Sequence, residues 1–210
     1  GNVLKKPARP FLVIIGGAKI STKIKVIENL LTKVDYLALG GALANNFLKA
    51  QGYNIGQSLF EPDFLDVAKR LLQDKDRGKK IILPIDLLVA KKINSEAEPI
   101  VRKVQEIKSD EIILDIGPET IRSYATLIKQ SKTVLWNGPL GMFEMPHFRN
   151  GSVIIARVIA SRSMGQAYGV VGGGETIECL NQTKMAEYVD WISTGGGAML
   201  SFLEGKVLSG

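Results

Sequence analysis

What most constrains this chain is a unit that recurs along it: a short apolar run, then a glycine loop, then a segment with helical spacing. Phe11 to Ile15 runs into Gly16-Gly17-Ala18, and Asp35 to Leu39 into Gly40-Gly41-Ala42. Glu111 to Asp115 precedes Gly117-Pro118, and Thr133 to Trp136 precedes Asn137-Gly138-Pro139. Ala167 to Val171 leads into Gly172-Gly173-Gly174, and Asp190 to Ser193 into Gly195-Gly196-Gly197. Apolar runs of this length, without polar alternation, fit strands buried on both faces. Strands alternating with helices predict a parallel sheet covered on both sides. The expected fold is α/β: a three-layer, Rossmann-like, doubly wound parallel sheet, in one domain spanning 1–210.

The intervening segments supply the helices. Ser21 is placed to cap one whose apolar positions Ile24, Ile27, Leu30 and Leu31 follow helical spacing. Leu43 to Gln51 reads as helix, and Pro62 opens another with Phe64, Leu65, Ala68, Leu71 and Leu72 inward. Further helices are predicted from Glu119 to about Lys129, from Ser152 to Ser161, from near Glu175, and at the end of the chain to Glu204-Gly205. Lys80 to Leu83 is one more strand, and from Pro84 and Asp86 to about Val104 the pattern assigns no element.

In such sheets ligands bind at the carboxyl ends of the strands, where these glycine loops fall. A glycine run leaves only backbone at the tip, so N–H groups can face an anion, and a following helix adds its positive end. Glu175, after Gly172-Gly173-Gly174, is a hard oxygen ligand suited to phosphate-bound magnesium. Taken singly, such a run is equally a tight turn. Lys19 and Lys23 stand four residues apart around a helix start, where like charges repel and cations oppose the dipole. No acidic residue before Glu28 offsets this, which argues for a bound anion. Neither a Walker A sequence nor the spaced dinucleotide fingerprint is present. The stretch Asn137 to Glu144 mixes amide, apolar and carboxylate groups, suiting a purine against Leu140 and Met142 and a ribose against Glu144, or else a proline-glycine turn. His147 is the single histidine, and no Ser/His/Asp set or Cys/His cluster can be assembled.

Composition narrows the class. Of 210 residues, 45% are hydrophobic and 23% charged, as in a soluble globular chain. No apolar run approaches the ~20 residues of a membrane span, and the basic start, Gly1 to Pro10, lacks the apolar core of a signal peptide. The single cysteine, Cys179, excludes an internal disulfide and suits a reducing cytoplasm. The net charge of +6 falls within residues 1–33, without the basic stripe and interleaved aromatics of a nucleic-acid surface. Membrane and nucleic-acid partners are therefore not expected.

The order of these segments resembles the phosphoglycerate kinases. The resemblance rests on Gly16 to Lys23, Leu83 to Asp86, Asp115 to Pro118, Trp136 to Glu144, Gly172 to Thr176, Ser193 to Ala198 and Leu203 to Lys206. It covers nearly the whole chain but only the family's C-terminal half, with Arg9-Pro10-Phe11 similar to the entry into that half. It implies a nucleotide-binding domain that serves reversible phosphoryl transfer between 1,3-bisphosphoglycerate and Mg-ADP in glycolysis, giving 3-phosphoglycerate and ATP. It further implies a cytoplasmic monomer whose 3-phosphoglycerate site lies on an N-terminal domain outside these residues, so that this half alone has no turnover. By resemblance Lys19 steadies the phosphoryl group in flight, with Gly195, Gly196 and Gly197 at the helix start facing it. Lys23 holds nucleotide phosphate. Gly40, Gly41, Ile113, Leu114, Asn137, Pro139, Met142 and Glu144 surround adenine and ribose. Gly172, Gly173, Gly174, Glu175 and Thr176 form the phosphate loop, with Glu175 on Mg2+. The sequence departs from the family pattern at Glu175, usually aspartate, and at Ile113 and Ala42, usually glycine; Thr22 and Ser201 replace an aspartate and a glutamate. These departures leave room for a second reading, a non-catalytic adenine-nucleotide-binding or interaction module with a drifted site.

Overall fold

A computed structural model describes residues 4–195 together with 199 and 203. Six parallel strands form the main sheet: β1 (Phe11–Ile15), β2 (Tyr36–Leu39), β3 (Ile81–Ile82), then β7 (Thr133–Asn137), β8 (Tyr168–Gly172) and β9 (Trp191–Ser193). Their spatial order is β3-β2-β1-β7-β8-β9. Every pairing in this sheet is parallel, with Ile15 beside both Leu39 and Asn137, so the loops after β1, β2 and β7 emerge side by side.

Side-chain alternation along the strands builds two cores. Phe11, Val13, Ile15, Leu37 and Leu39 point to one face, where helices α1 (Ile24–Leu30), α2 (Leu43–Ala50) and α3 (Leu65–Gln73) bury Ile27, Phe47 and Leu71. Leu12, Ile14, Val134, Trp136 and Val171 point to the other, under α4 (Pro118–Gln130), α5 (Asn150–Ser163) and α6 (Gly174–Gln182). Residues of both parities in β1 are buried, so each lies in an apolar setting without polar alternation. This is the doubly wound arrangement expected. Met199 and Leu203 are helical and join the first core, while the rest of the last predicted helix lies outside the described residues.

The structure corrects several details. The run predicted as a further strand of the parallel sheet, Glu111 to Asp115, is strand β6 (Ile112–Ile116) of a second sheet. The unassigned segment supplies the other two strands, β4 (Asp86–Ala90), which pairs with β6, and β5 (Ile100–Lys103), in the antiparallel order β5-β4-β6. An apolar run reports burial but not strand direction, and no helix separates β4 from β5 to force a parallel crossover. Asp86 ties this sheet to the main body: its buried carboxylate accepts the N–H groups of Glu119 and Thr120 at the start of α4. Ser21 does not cap α1; it sits in a 3-10 turn, Ile20–Thr22, and Lys23 is the residue at the α1 N-cap. Pro62 opens a 3-10 turn, Pro62–Phe64, that passes directly into α3.

Candidate functional site

The strand order reverses between β1 and β7, and the loops after these two strands meet there backbone to backbone. The Gly16 N–H donates to the Asn137 carbonyl at 2.9 Å, and the Gly17 N–H to Pro139 at 2.8 Å. The loop after β2 joins them, with Gly41 N–H donating to Leu140 at 3.1 Å. Gly16 has no space for a side chain: a Cβ would stand 2.1 Å from the Pro139 carbonyl oxygen. Gly138 adopts φ +95°, and a Cβ there would lie 2.4 Å from Lys23 Nζ. These glycines are required by close approach and by left-handed backbone.

Above this junction opens a cleft of about 460 Å³. Gly17, Ala18, Gly41 and Ala42 line one end, and Pro139, Leu140, Met142 and Glu144 one side. Leu87, Ile93, Ile113, Leu114 and Leu59 close the apolar end, and Glu175 also borders the cleft. The small antiparallel sheet thus supplies the apolar wall through β6 and β4. Leu114 is buried and its carbonyl accepts the Met142 N–H at 2.8 Å, which locks the β7 loop against that wall. Ile113, a departure from the family pattern, is partly buried on the same wall, with its N–H held by the Ser58 hydroxyl at 2.8 Å. The volume and a mainly apolar lining with a few polar groups suit a planar heterocycle carrying a polar tail.

The charged groups gather at the glycine end. Lys23 is half-buried, and its Nζ donates to the Gly16 carbonyl at 2.6 Å, with the Asn137 carbonyl at 3.5 Å. Burial lowers its pKa to about 8, partly opposed by the nearby Glu175 carboxylate. Lys19 is exposed at the start of the 3-10 turn, and among the described residues its ammonium makes no ion pair. Contrary to the expectation from local sequence, acidic residues do offset these lysines. Glu61, 40 residues from Ser21, accepts the Ser21 N–H at 2.8 Å at the start of that turn, and Glu175 lies close to Lys23. Both carboxylates come from segments remote in sequence, so a local reading of charge missed them.

Other predicted residues take less direct places. Asn137 and Thr176 are buried and stitch loops together: the Asn137 amide donates to the Gly172 carbonyl, and the Thr176 hydroxyl accepts the Gly138 N–H. Gly40 lies beneath Leu140. Gly173, at φ +94°, is the N-cap of α6, and Gly174 and Glu175 are exposed in its first turn. Gly195 is exposed after β9, while Gly196 and Gly197 lie outside the described residues. His147 is exposed in the turn Pro146–Phe148. Cys179 is buried in the second core, and its thiol is pushed up to about 12 by burial and neighbouring carboxylates, so it stays protonated. Sequence reasoning missed Asn45, Gln57 and Leu59, which line the cleft from α2 and the loop behind it. No sequence pattern marked them: Leu59 stands out only once the chain is folded, as a leucine 56% exposed at the cleft. It also passed over Asp115, whose buried carboxylate at the cleft floor accepts the N–H groups of Gly151 and Ile116 and is raised to about 7 by burial.

Glycine loops from three adjacent strands, closing on a cleft at the point of strand reversal, define a doubly wound α/β protein with its ligand cleft at the topological switch point. Within that class the comparisons are specific. The chain belongs to the phosphoglycerate kinase family, whose model, described as "Phosphoglycerate kinase", matches residues 1–206. It is 47% identical over its whole length to the phosphoglycerate kinase of Chloroflexus aggregans and covers 53% of that protein. Among solved structures, the phosphoglycerate kinase of Coxiella burnetii superposes with a TM-score of 0.92 at 42% identity, over 98% of this chain and 53% of that one. That of Pyrococcus horikoshii OT3 gives 0.82 at 29% identity, over 97% and 51%. The chain spans about half the length of these relatives. Among the described residues, no helix is long and apolar enough to cross a membrane.

Proposed function

We propose that the cleft binds ADP or ATP and that the chain is the nucleotide-binding half of a phosphoglycerate kinase. In that protein a phosphoryl group passes reversibly between 1,3-bisphosphoglycerate and Mg-ADP, yielding 3-phosphoglycerate and ATP in glycolysis. The observation that carries this reading is the polarity of the cleft: an apolar wall of Ile113, Leu114, Met142 and Leu59, set against the Gly17 and Gly41 loops and Glu175, with the Lys23 ammonium just behind Gly17. The base packs against the wall and Glu144 faces the ribose. The phosphates meet Lys23, the Gly173–Glu175 turn and the α6 N-terminus. Lys19 is exposed and has no ion-pair partner among the described residues, so it is available to the migrating phosphoryl group. Such chemistry is positioning and charge neutralisation, with little covalent work by the protein. The acylphosphate site is assigned to the half of the family's length that this chain does not span, and these residues by themselves are expected to bind nucleotide without turnover. A monomeric cytoplasmic protein fits this role. No finding favours a non-catalytic module over this reading.

The donor set also fits magnesium held chiefly by phosphates and water. Glu175 is one exposed carboxylate at the phosphate end, and no group of three potential ligands stands among the described residues. When bound, the ion supplies charge neutralisation on the phosphates. Calorimetric titration of ADP, with magnesium and with chelator, tests the assignment. Binding strengthens with magnesium in the wild type, and Glu175→Gln loses most of that increment while metal-free binding stays nearly intact. Equal increments in the two proteins would refute the metal role of Glu175.

A further inference from the structure

We propose that Glu61 is a positioning residue that fixes the Lys19 turn at the phosphate end of the cleft, held there by a short strap that also builds the apolar end. The inference rests on the nucleotide reading above and gives a role to Glu61, a charged residue that reading does not use. The strap is residues 58–61, between α2 and α3. At its start the Ser58 hydroxyl accepts the Ile113 N–H at 2.8 Å, on the wall of the cleft. The carbonyl of Leu59, which lines the same wall, accepts from the Asn45 amide at 2.9 Å. At its end Glu61 is clasped on both sides by the buried Asn46 side chain. Its N–H donates to Asn46 Oδ1 at 2.9 Å, and its carbonyl accepts from Asn46 Nδ2 at 2.7 Å.

So clamped, Glu61 turns its carboxylate to the Ser21 N–H at 2.8 Å. Ser21 is the middle residue of the Ile20–Thr22 turn, and Lys19 is the residue that enters it, with extended backbone at φ −124° and ψ 119°. No side chain of Lys19 itself caps that turn. A three-residue turn with free N–H groups has little to define where it starts, and an acceptor held from elsewhere does so. Burial pushes the Glu61 carboxyl up, but hydrogen bonding to Ser21, the charge of Lys19 and the Ile20 amide outweigh this and hold it below the ordinary glutamate value. It is therefore ionised at neutral pH and favours the turn's positive end. The Lys19 ammonium is not paired with Glu61, so the carboxylate orders the lysine's backbone and leaves its charge available.

The test is the ratio of ATP to ADP affinity, with adenosine as a probe of the base end alone. Glu61→Ala should lower that ratio about threefold or more, leave adenosine binding unchanged and add nothing in a Lys19→Ala background. Glu61→Gln keeps an acceptor oxygen and should restore most of the ratio. Equal weakening of all three ligands would mean a merely structural residue and overturn the inference, as would an unchanged ratio. A wild type that binds neither nucleotide overturns the nucleotide reading itself, and this inference with it. If Glu61→Ala does not fold, the Ser21 amide resonance of the wild type carries the test: it must titrate with a carboxyl below the ordinary glutamate range, and a flat response overturns the assignment.

Discussion

Lys23 is the residue on which the phosphate end turns, and its setting makes two expectations. Among the described residues its ammonium hydrogen-bonds to carbonyl oxygens, Gly16 at 2.6 Å and Asn137 at 3.5 Å, and a phosphate offers a stronger, charged partner. Lys23→Ala should weaken ADP binding by about 1.5–3 kcal/mol, roughly tenfold or more. Lys19→Ala should cost ADP less, since its role lies with the migrating group, and equal losses in the two titrations would contradict the division. Asp115 makes a different prediction, about stability. Its folded pKa, about 7, is raised above the unfolded value. The native state therefore holds a proton that the unfolded chain has released. The associated stability is present below the unfolded carboxyl pKa and is lost as pH rises through about 7. Urea denaturation at pH 5 and pH 8 should show the wild type losing stability relative to Asp115→Asn, and a constant difference would contradict this. At this scale much of the site was legible. Met142 and Glu175 line the cleft, each in the loop or first turn that follows a strand, and Lys19 and Lys23 flank the turn that follows the lining residues Gly17 and Ala18. Asn137 and Thr176 were legible by position only: that their polar groups face neighbouring loops is a tertiary fact, set by pairings 35 and 38 residues apart.

Among the elements, the main sheet could be read from its apolar runs, and the small sheet could not. The β1 and β7 runs are buried on both faces, which only a covered parallel sheet provides in a chain where helices alternate with strands. β6 has the same kind of sequence yet pairs antiparallel with β4, in a small sheet whose three strands follow one another without an intervening α-helix. The strap from Ser58 to Glu61 had no signal at all. It has no periodicity, and its bonds reach 14 to 55 residues along the chain. Its clasp makes a quantitative expectation. Asn46 is 1% exposed and makes two hydrogen bonds to the Glu61 backbone, so Asn46→Ala strands two backbone groups and should cost about 1–3 kcal/mol in urea denaturation. A loss under half of this would mean the strap is held by other contacts.

For the molecule as a whole, the strand order, the point of reversal and the polar asymmetry of the cleft lead to one ligand pose. In the proposed pose the heterocycle lies toward β6 and the phosphates toward the loops after β1 and β8. The direct test is an isotope-filtered NOE measurement on the methyl-labelled chain saturated with ADP. The account predicts saturable binding, with NOEs from the adenine protons to the methyl groups of Leu59, Ile113, Leu114 and Met142. Failure to saturate at millimolar ADP, or adenine NOEs to methyls away from this wall such as that of the exposed Ile154, would contradict it.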